Sequence, residues 1–511
     1  MIFFLAFIPI ALILFLMVGL RWGASRSGGV GYLSALFIAM LFFGASPEVL
    51  AYAHMRALLL TVDVLMIIWA AFLLYRVADE AGAIDMIGHA LPHLTADSGM
   101  QALIIGWAFA SFLQGVGGFG VPVAVIAPIL VGLGFTPLAA VVIPSIGHGW
   151  AVTFGSLGSS FQALMAATGL PGEILAPISV LFLSISSLLV GLMVAHAADG
   201  WKAVRRLLVP VVVLGIVMGT VQFVVVTSGF WNIGSFCGGM AGLLVAYPLA
   251  RRLPGKQQDN GGLDGRALAV ALSGYGVLVI IILAVQLIPA LKSFLGQVVI
   301  QVNFPEVSTS QGFVTPAGPG RNIALFRHTG TVLAYSSIMA FLIYRWAGLY
   351  RPGAVGRIVS GTVRRVMSSS VSIASMVAMA VIMEDAGMTD TLARGLAEGI
   401  HSLYPMVAPW IGALGAFMTG SNTNSNVVFG ALQLKTAQLL GYSAALILAA
   451  QTAGAALASV IAPTKVVVGA STAGMAGHEG DVMRKLLVYI SLLVLLISFL
   501  TIIGVWIHLS L

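Results

Sequence analysis

The sequence predicts an all-α polytopic membrane protein with about twelve crossings, two re-entrant hairpins and an inverted repeat of discontinuous helices. Three observations predict it. Of 511 residues, 59% are apolar and only 8% charged, with mean hydropathy +1.05, whereas a soluble domain carries about 25% charge. Apolar runs of about 20 residues, the length that crosses a bilayer as a helix, recur along the chain. Short motifs of the first half return in the same order in the second.

The runs are continuous rather than alternating, which points to helices and away from a β-barrel. The net charge of +7 sits in short loops, so it sets topology rather than binding nucleic acid. A single cysteine, Cys237, excludes an intrachain disulfide and offers no metal-cluster spacing.

In chain order, spans are expected near 2–20, 30–45, 57–78, 173–195, 205–227, 232–250, 267–290, 328–347, 364–384 and 486–508. The first lacks a preceding basic residue and is too long for a cleaved signal peptide, so it is read as a retained span. Stretches 98–134 and 403–440 read as hairpins, and 136–169 and 442–475 as spans broken midway. The first half is 1–250 and the second 267–511, with a polar cytoplasmic linker at 251–266. Of the 24 Lys and Arg, only Arg56, Lys292, Arg321, Arg327 and Arg394 fall in outer loops if the N-terminus is outside, while Lys435 and Lys465 lie at membrane depth. All the others are then internal, as the positive-inside bias requires, both termini are outside and 297–328 is external.

The repeat is legible in three places. Glu80-Ala81-Gly82-Ala83-Ile84-Asp85 returns as Asp385-Ala386-Gly387-Met388-Thr389-Asp390. Phe112-Leu113-Gln114-Gly115 returns at the same offset as Phe417-Met418-Thr419-Gly420. After a two-residue shift, Leu133-Gly134-Phe135-Thr136 returns as Leu440-Gly441-Tyr442-Ser443. An odd number of crossings separates the units, so they insert with opposite orientation, the architecture of secondary transporters.

The breaks carry the chemistry. Arms of about 13 residues reach only about 20 Å, short of a core of about 30 Å. The first tip, Gln114-Gly115-Val116-Gly117-Gly118-Phe119-Gly120 before Pro122, cannot hold a helix, and the helix restarting there presents free N–H groups to an anion. The second tip, Thr419-Gly420-Ser421-Asn422-Thr423-Asn424-Ser425-Asn426, offers amides and hydroxyls for a carboxylate or a small hard cation. The first broken span is expected to break at Ser145-Ile146-Gly147-His148-Gly149-Trp150, followed by Thr153, and the second at Pro463, where freed carbonyls become ligands. Candidate substrate-binding residues are therefore Gln114, Gly115, Gly117, Gly118, Gly120, Ser145, His148, Thr153, Thr419, Ser421, Asn422, Thr423, Asn424, Asn426, Gln451, Thr464 and Lys465. Candidates for the coupling ion are His148, Asp63, Ser421, Asn422 and Pro463, with Na⁺ at Asn422 and Asn424. Two readings stand for several of these. Lys465 pairs with a substrate carboxylate or snorkels to an interface. His148 carries a proton or is a neutral interior histidine. Asp63 is a proton site or a helix-packing group, and Glu384, Asp385 and Lys435 sit at the outer interface.

SFLQGVGGFGVPVAV, LVGLGF, FMTGSNTNSNVVFGALQ and GHEGDVMR resemble the L-lactate permease family of bacterial monocarboxylate carriers. The resemblance runs over most of the chain and is densest at 100–170 and 405–486. It implies uptake of lactate, often also of glycolate, coupled to protons across the bacterial inner membrane. It also implies kinship with the ion transporter superfamily, which uses paired hairpins and elevator-type movement, with a homodimer expected by analogy. In its sodium–dicarboxylate members, Ser-Asn-Thr at hairpin tips serves sodium and carboxylate, and Ser421-Asn422-Thr423 is that triplet. Gln114 and Asn422 stand where the family commonly carries Glu and Asp, and Lys465 where a small polar residue is expected. The expected function is ion-coupled symport, with H⁺ or Na⁺, of a small monocarboxylate such as lactate or glycolate. No other cofactor and no nucleic acid are expected. An anion channel, or a carrier for another organic anion, is the alternative on the same scaffold. No metal spacing, nucleophile–base pair or phosphate loop suggests an enzyme.

Overall fold

The computed structural model describes residues 2–20, 22–91, 95–118, 120–251, 265–320, 322–507. Most of linker 251–266, and with it Arg252 and Lys256, lies outside the described residues, as do Arg21, Phe119 and Arg321. The chain is mostly helical. α1 (Ile2–Leu14) continues as a wide-turn stretch, Phe15–Gly19, into α2 (Ala24–Phe42). α3 (Pro47–Glu80) starts on Ser46, whose hydroxyl accepts from the Val49 N–H, with Pro47 in the first turn. Gly82, at φ +69°, turns the chain into the short α4 (Ala83–Ala90). Next come α5 (Ser98–Val116), α6 (Val121–Gly132), α7 (Pro137–Gly149), α8 (Ser159–Thr168), α9 (Gly172–Arg206), α10 (Leu208–Thr227) and α11 (Gly234–Ala250).

The second half begins with α12 (Gly265–Leu287) and α13 (Pro289–Leu295). A β-ribbon follows. β1 (Val299–Ile300) pairs antiparallel with β6 (Ile323–Ala324), β2 (Asn303–Phe304) with β5 (Gly318–Pro319), and β3 (Val307–Ser308) with β4 (Val314–Thr315). This ribbon corrects the all-helical expectation: 297–328 is too polar for a span and closes its backbone by cross-strand pairing instead. Then come α14 (Thr329–Trp346), α15 (Ala354–Asp385), α16 (Met388–Ile400), α17 (Tyr404–Thr419), α18 (Asn422–Leu440), α19 (Ala444–Ala458), α20 (Pro463–Thr472) and α21 (Glu479–Trp506).

Among the described residues, nine helical stretches are long and apolar enough to cross a membrane. Large apolar side chains point outward along them, with Leu41 72% and Leu58 63% exposed, and Trp346 and Trp506 end their helices 91% and 82% exposed. A soluble protein would not leave such a surface in water, and terminal tryptophans suit a membrane–water interface.

The two halves share an element order. α3 and α15 are long helices ending in a left-handed glycine, Gly82 (φ +69°) or Gly387 (φ +79°), followed by a short helix, a hairpin, a helix capped by Thr136 or Ser443, a break and a final short helix. α3 packs along α15, and α17 along α19. The larger core surrounds α5, with Trp107, Phe112, Trp150 and Tyr275 wholly buried. A second core lies where α1, α2, α3 and α15 meet hairpin 2.

Candidate functional site

Each hairpin turns more tightly than its composition suggests. In the first, α5 runs on through Gln114 and Gly115 to Val116, and α6 begins at Val121. The expectation that Gln114 and Gly115 form the tip is corrected. Gly115 is a packing residue, because a Cβ there would lie 2.5 Å from the Phe236 backbone nitrogen on α11. Gly118 (φ +56°) and Gly120 (φ +85°) make the turn itself, in backbone that favours glycine. A Cβ on Gly118 would also collide with the Ser156 hydroxyl. Pro122 lies in the first turn of α6, where its missing N–H costs nothing.

In the second hairpin only Gly420 and Ser421 separate α17 from α18. Ser421 caps α18 by accepting from the Asn424 N–H at 3.2 Å, so Asn422, Thr423, Asn424 and Asn426 project from the first turns of a helix rather than from a loop. Helical spacing then sorts them. Asn422 and Asn426, four apart, share one face; Asn424 points elsewhere.

The first broken span is broken later than expected. Ser145, Gly147 and His148 are helical within α7, and the chain unwinds over 150–155. Gly147 serves close packing: a Cβ would run into the carbonyl of Gly106 on α5. Ser156 and Leu157 then take left-handed backbone, φ +48° and +54°. The second span breaks where expected, with Ala462 extended and Pro463 opening α20.

These breaks bring a buried polar knot together from both halves. Thr153 lies 3.2 Å from Thr452 between hydroxyl oxygens. The Asn422 amide donates to Thr153 Oγ1 at 3.1 Å, and the Asn426 amide to Thr452 Oγ1 at 2.9 Å and the Ser160 carbonyl at 3.0 Å. Thr423 and Ser160 hydroxyls meet at 3.0 Å. The side-chain oxygens of Asn422, Asn424 and Asn426 are buried with no partner among the described residues. Such oxygens call for a donor or a cation.

Asn424 faces a different neighbour, donating to Ser372 on α15 at 3.1 Å. There a cavity of about 350 Å³ opens, lined by Thr419, Gly420, Ser421, Asn424, Thr464 and Lys465 from the hairpin and α20, and by Ser372 and Arg365 from α15. Among the described residues, its lining includes two cationic side chains and no acidic one. Lys465 is buried and donates to the Ser459 hydroxyl at 3.1 Å. Hairpin 1 reaches the same residue, since a Cβ on Gly120 would lie 3.8 Å from Lys465 Cγ. The cavity also borders Gly23 to Ser25, at the start of α2. The ribbon is anchored at the other end of that helix, where Gln311 donates to the Phe42 carbonyl at 2.7 Å. The cavity thus opens away from the ribbon.

Other candidates stand outside this cavity. Ser145 bonds back to the Val141 carbonyl at 2.7 Å. Gln451 is fully used inside hairpin 2, accepting from Gln433 at 2.9 Å and donating to the Ser425 hydroxyl at 3.1 Å. Gln114 is buried with its amide oxygen unpaired. His148 is buried, and its Nδ1 lies 2.6 Å from the Pro144 carbonyl. A carbonyl only accepts, so Nδ1 holds the hydrogen and Nε2, buried without a described partner, presents a lone pair. Asp63 lies toward the ribbon, 2.7 Å from His328 Nε2, where it lines a separate cavity of about 820 Å³ with Arg56, Glu384 and Asp385.

Sequence reading missed Ser160, Ser372 and Arg365, and did not carry Thr452, next to Gln451 ahead of the Pro463 break, into the candidate site. Ser372 lies two residues after the run Ser368-Ser369-Ser370, and Ser160 ends GSLGSS after the break, so both left a compositional trace. Arg365 left none that separates it from a solvated loop.

Comparison with known proteins adds a family. The family model for L-lactate permease matches residues 2–508. The L-lactate permease of Bacillus subtilis is 28% identical, over 91% of this chain and 90% of that protein. A putative L-lactate permease of Haemophilus influenzae is 26% identical, over 95% of each. The glycolate permease GlcA of Escherichia coli is 27% identical, over 94% of this chain and 91% of that protein. Among solved structures, the YdaH transporter of Alcanivorax borkumensis aligns at TM-score 0.49 and 15% identity, over 91% of this chain and 90% of that one.

Proposed function

The chain belongs to the L-lactate permease family, and from that premise we propose that it is a secondary carrier moving a small monocarboxylate, lactate or glycolate, together with H⁺ or Na⁺ across the bacterial inner membrane. The observation that carries this reading is the cavity at the hairpin 2 tip: about 350 Å³, with Lys465 and Arg365 and, among the described residues, no acid in its lining. A carboxylate is the ligand such a lining favours, and the hydroxyls and amide of Ser421, Thr464 and Asn424 suit the 2-hydroxyl beside it.

In this reading the two units are inverted repeats across about twelve crossings, both termini are outside, and the cavity faces the cytoplasm. Elevator-type movement of the hairpins would expose the same residues on the other side. The polar knot behind the cavity supports a cation site. Asn422 and Asn426 share Thr452 and leave two amide oxygens unpaired, which suits Na⁺. Asn424 lies on another face, so the cation site sits with Asn422 and Asn426 rather than with Asn422 and Asn424. The Nε2 lone pair of His148 suits a proton. Neither Gln114 nor Asn422 can carry one.

Radiolabelled lactate counterflow in proteoliposomes tests the site. Lys465→Met and Asn424→Ala are each expected to lower exchange about tenfold or more, as loss of about 1.4 kcal/mol of binding would. Wild-type exchange in both variants contradicts the site, and uptake that never saturates with substrate makes the protein a channel instead.

A further inference from the structure

The ribbon-side cavity holds ionisable groups that the substrate site does not use. At its wall, the last two residues of α15 are Glu384 and Asp385. Asp385 is 4% exposed. Its Oδ1 accepts from Arg56 of α3 at 2.9 Å, while its Oδ2 is buried with no partner among the described residues. Glu384 is exposed to the cavity, and no described residue donates to it. Arg56 is held in place by the Phe304 ring, 4.9 Å away on the ribbon.

Among the described residues, the other charges nearby are engaged elsewhere. Lys435 of α18 lies 3.2 Å from Asp390 of α16, which also binds Arg394. His328 is paired with Asp63. Arg327 lines the cavity, but its guanidinium lies beside Gly296 at the end of α13. Among the described residues, two carboxylates therefore share one guanidinium, and a buried carboxylate oxygen has no donor. Neighbouring like charges of this kind are relieved by taking up a cation.

We propose that Glu384 and Asp385 form a proton-binding site in the ribbon-side cavity. The requirement is one charge and one hydrogen, which a proton supplies. A sodium ion would need several oxygen ligands, and Asp385 already commits one of its two to Arg56. The two acids titrate as a pair.

The placement links this site to the hairpin. Asp385 and Ser372 are both on α15, about 20 Å apart at helical rise, and Ser372 holds Asn424 at the hairpin 2 tip. Protonation of the pair weakens the Arg56–Asp385 tie between α3 and α15 and frees α15 to move with the hairpin. This role rests on the carrier reading; the proton site itself does not.

Infrared difference spectroscopy of the purified full chain between about pH 8 and pH 3, which covers the ordinary carboxyl range and the rise a like-charged neighbour gives, tests the site without transport. A protonated-carboxyl band is expected to grow as pH falls and to be lost in Glu384→Gln and in Asp385→Asn. A band unchanged in both variants overturns the proposal. A carboxylate band that responds to Na⁺ and not to pH also overturns it, making the cation sodium. In proteoliposomes, Glu384→Gln is expected to keep lactate counterflow within about twofold while losing accumulation driven by a pH gradient about tenfold or more. Undiminished pH-driven accumulation in Glu384→Gln removes the coupling role. A wild type that accumulates nothing under any gradient refutes the carrier reading and leaves the infrared result standing.

Discussion

Thr452 Oγ1 is the junction of the buried knot. It takes hydrogen bonds from Asn426 at 2.9 Å and Asn422 at 3.5 Å and meets Thr153 at 3.2 Å. Thr452→Val keeps the shape and removes the oxygen, leaving buried donors unpaired, at a cost of about 1–3 kcal/mol for each group left without a partner. The variant is expected to unfold at lower temperature in detergent and to lose transport. Ser145→Ala is the contrast. Its hydroxyl serves only its own helix, so transport is expected to stay within about twofold. A transport loss in Ser145→Ala larger than in Thr452→Val would put the site on the wrong face of α7.

The elements show why some glycines break helices and others join them. Gly118, Gly120 and Gly420 have positive φ and form the two turns. Gly115 and Gly147 are helical and let α5 approach α11 and α7. In an ordinary helix interior, Gly→Ala stabilises by about 1 kcal/mol. Gly147→Ala is expected to do the reverse by about 1–3 kcal/mol through overpacking against Gly106, read as a lower melting temperature; a rise would show that the close helix contact is absent.

The same distinction marks what the sequence made legible. The two helix–turn–helix segments and the Pro463 break were readable, because turn chemistry is local, while Gly82 and Gly387 were legible as a repeated motif but not as left-handed turns. The positions of Gln114, Gly115 and Gly147 were not, because composition cannot tell a glycine that turns from one that touches a neighbouring backbone. Nor could it separate the Asn422–Asn426 face from Asn424 until a helix rather than a loop was seen to begin at Asn422. The ribbon was recognised as polar but not as paired strands, since its Gly- and Pro-rich pattern lacks the alternation that marks them.

At the scale of the whole molecule, the ribbon and the cavity at the hairpin 2 tip mark opposite ends of the bundle. The ribbon tip is pinned to the α2–α3 turn, where Ser310 donates to the Gly44 carbonyl at 2.9 Å, and a Cβ on Gly387 would press on Phe313. With Cys237 replaced, Ser310→Cys is expected to react with an impermeant thiol reagent in right-side-out vesicles, and Ser25→Cys only in inverted ones. Both labelling from one side would contradict the proposed orientation.

The central claim is that the cavity and knot form one ion-coupled carboxylate site. Accumulation of radiolabelled lactate by wild-type proteoliposomes, with pH and Na⁺ gradients imposed separately, tests it most directly. The account predicts saturable, concentrative uptake under one of the two gradients, abolished when that gradient is collapsed. Uptake that only equilibrates, under either gradient and for glycolate as well as lactate, would contradict it.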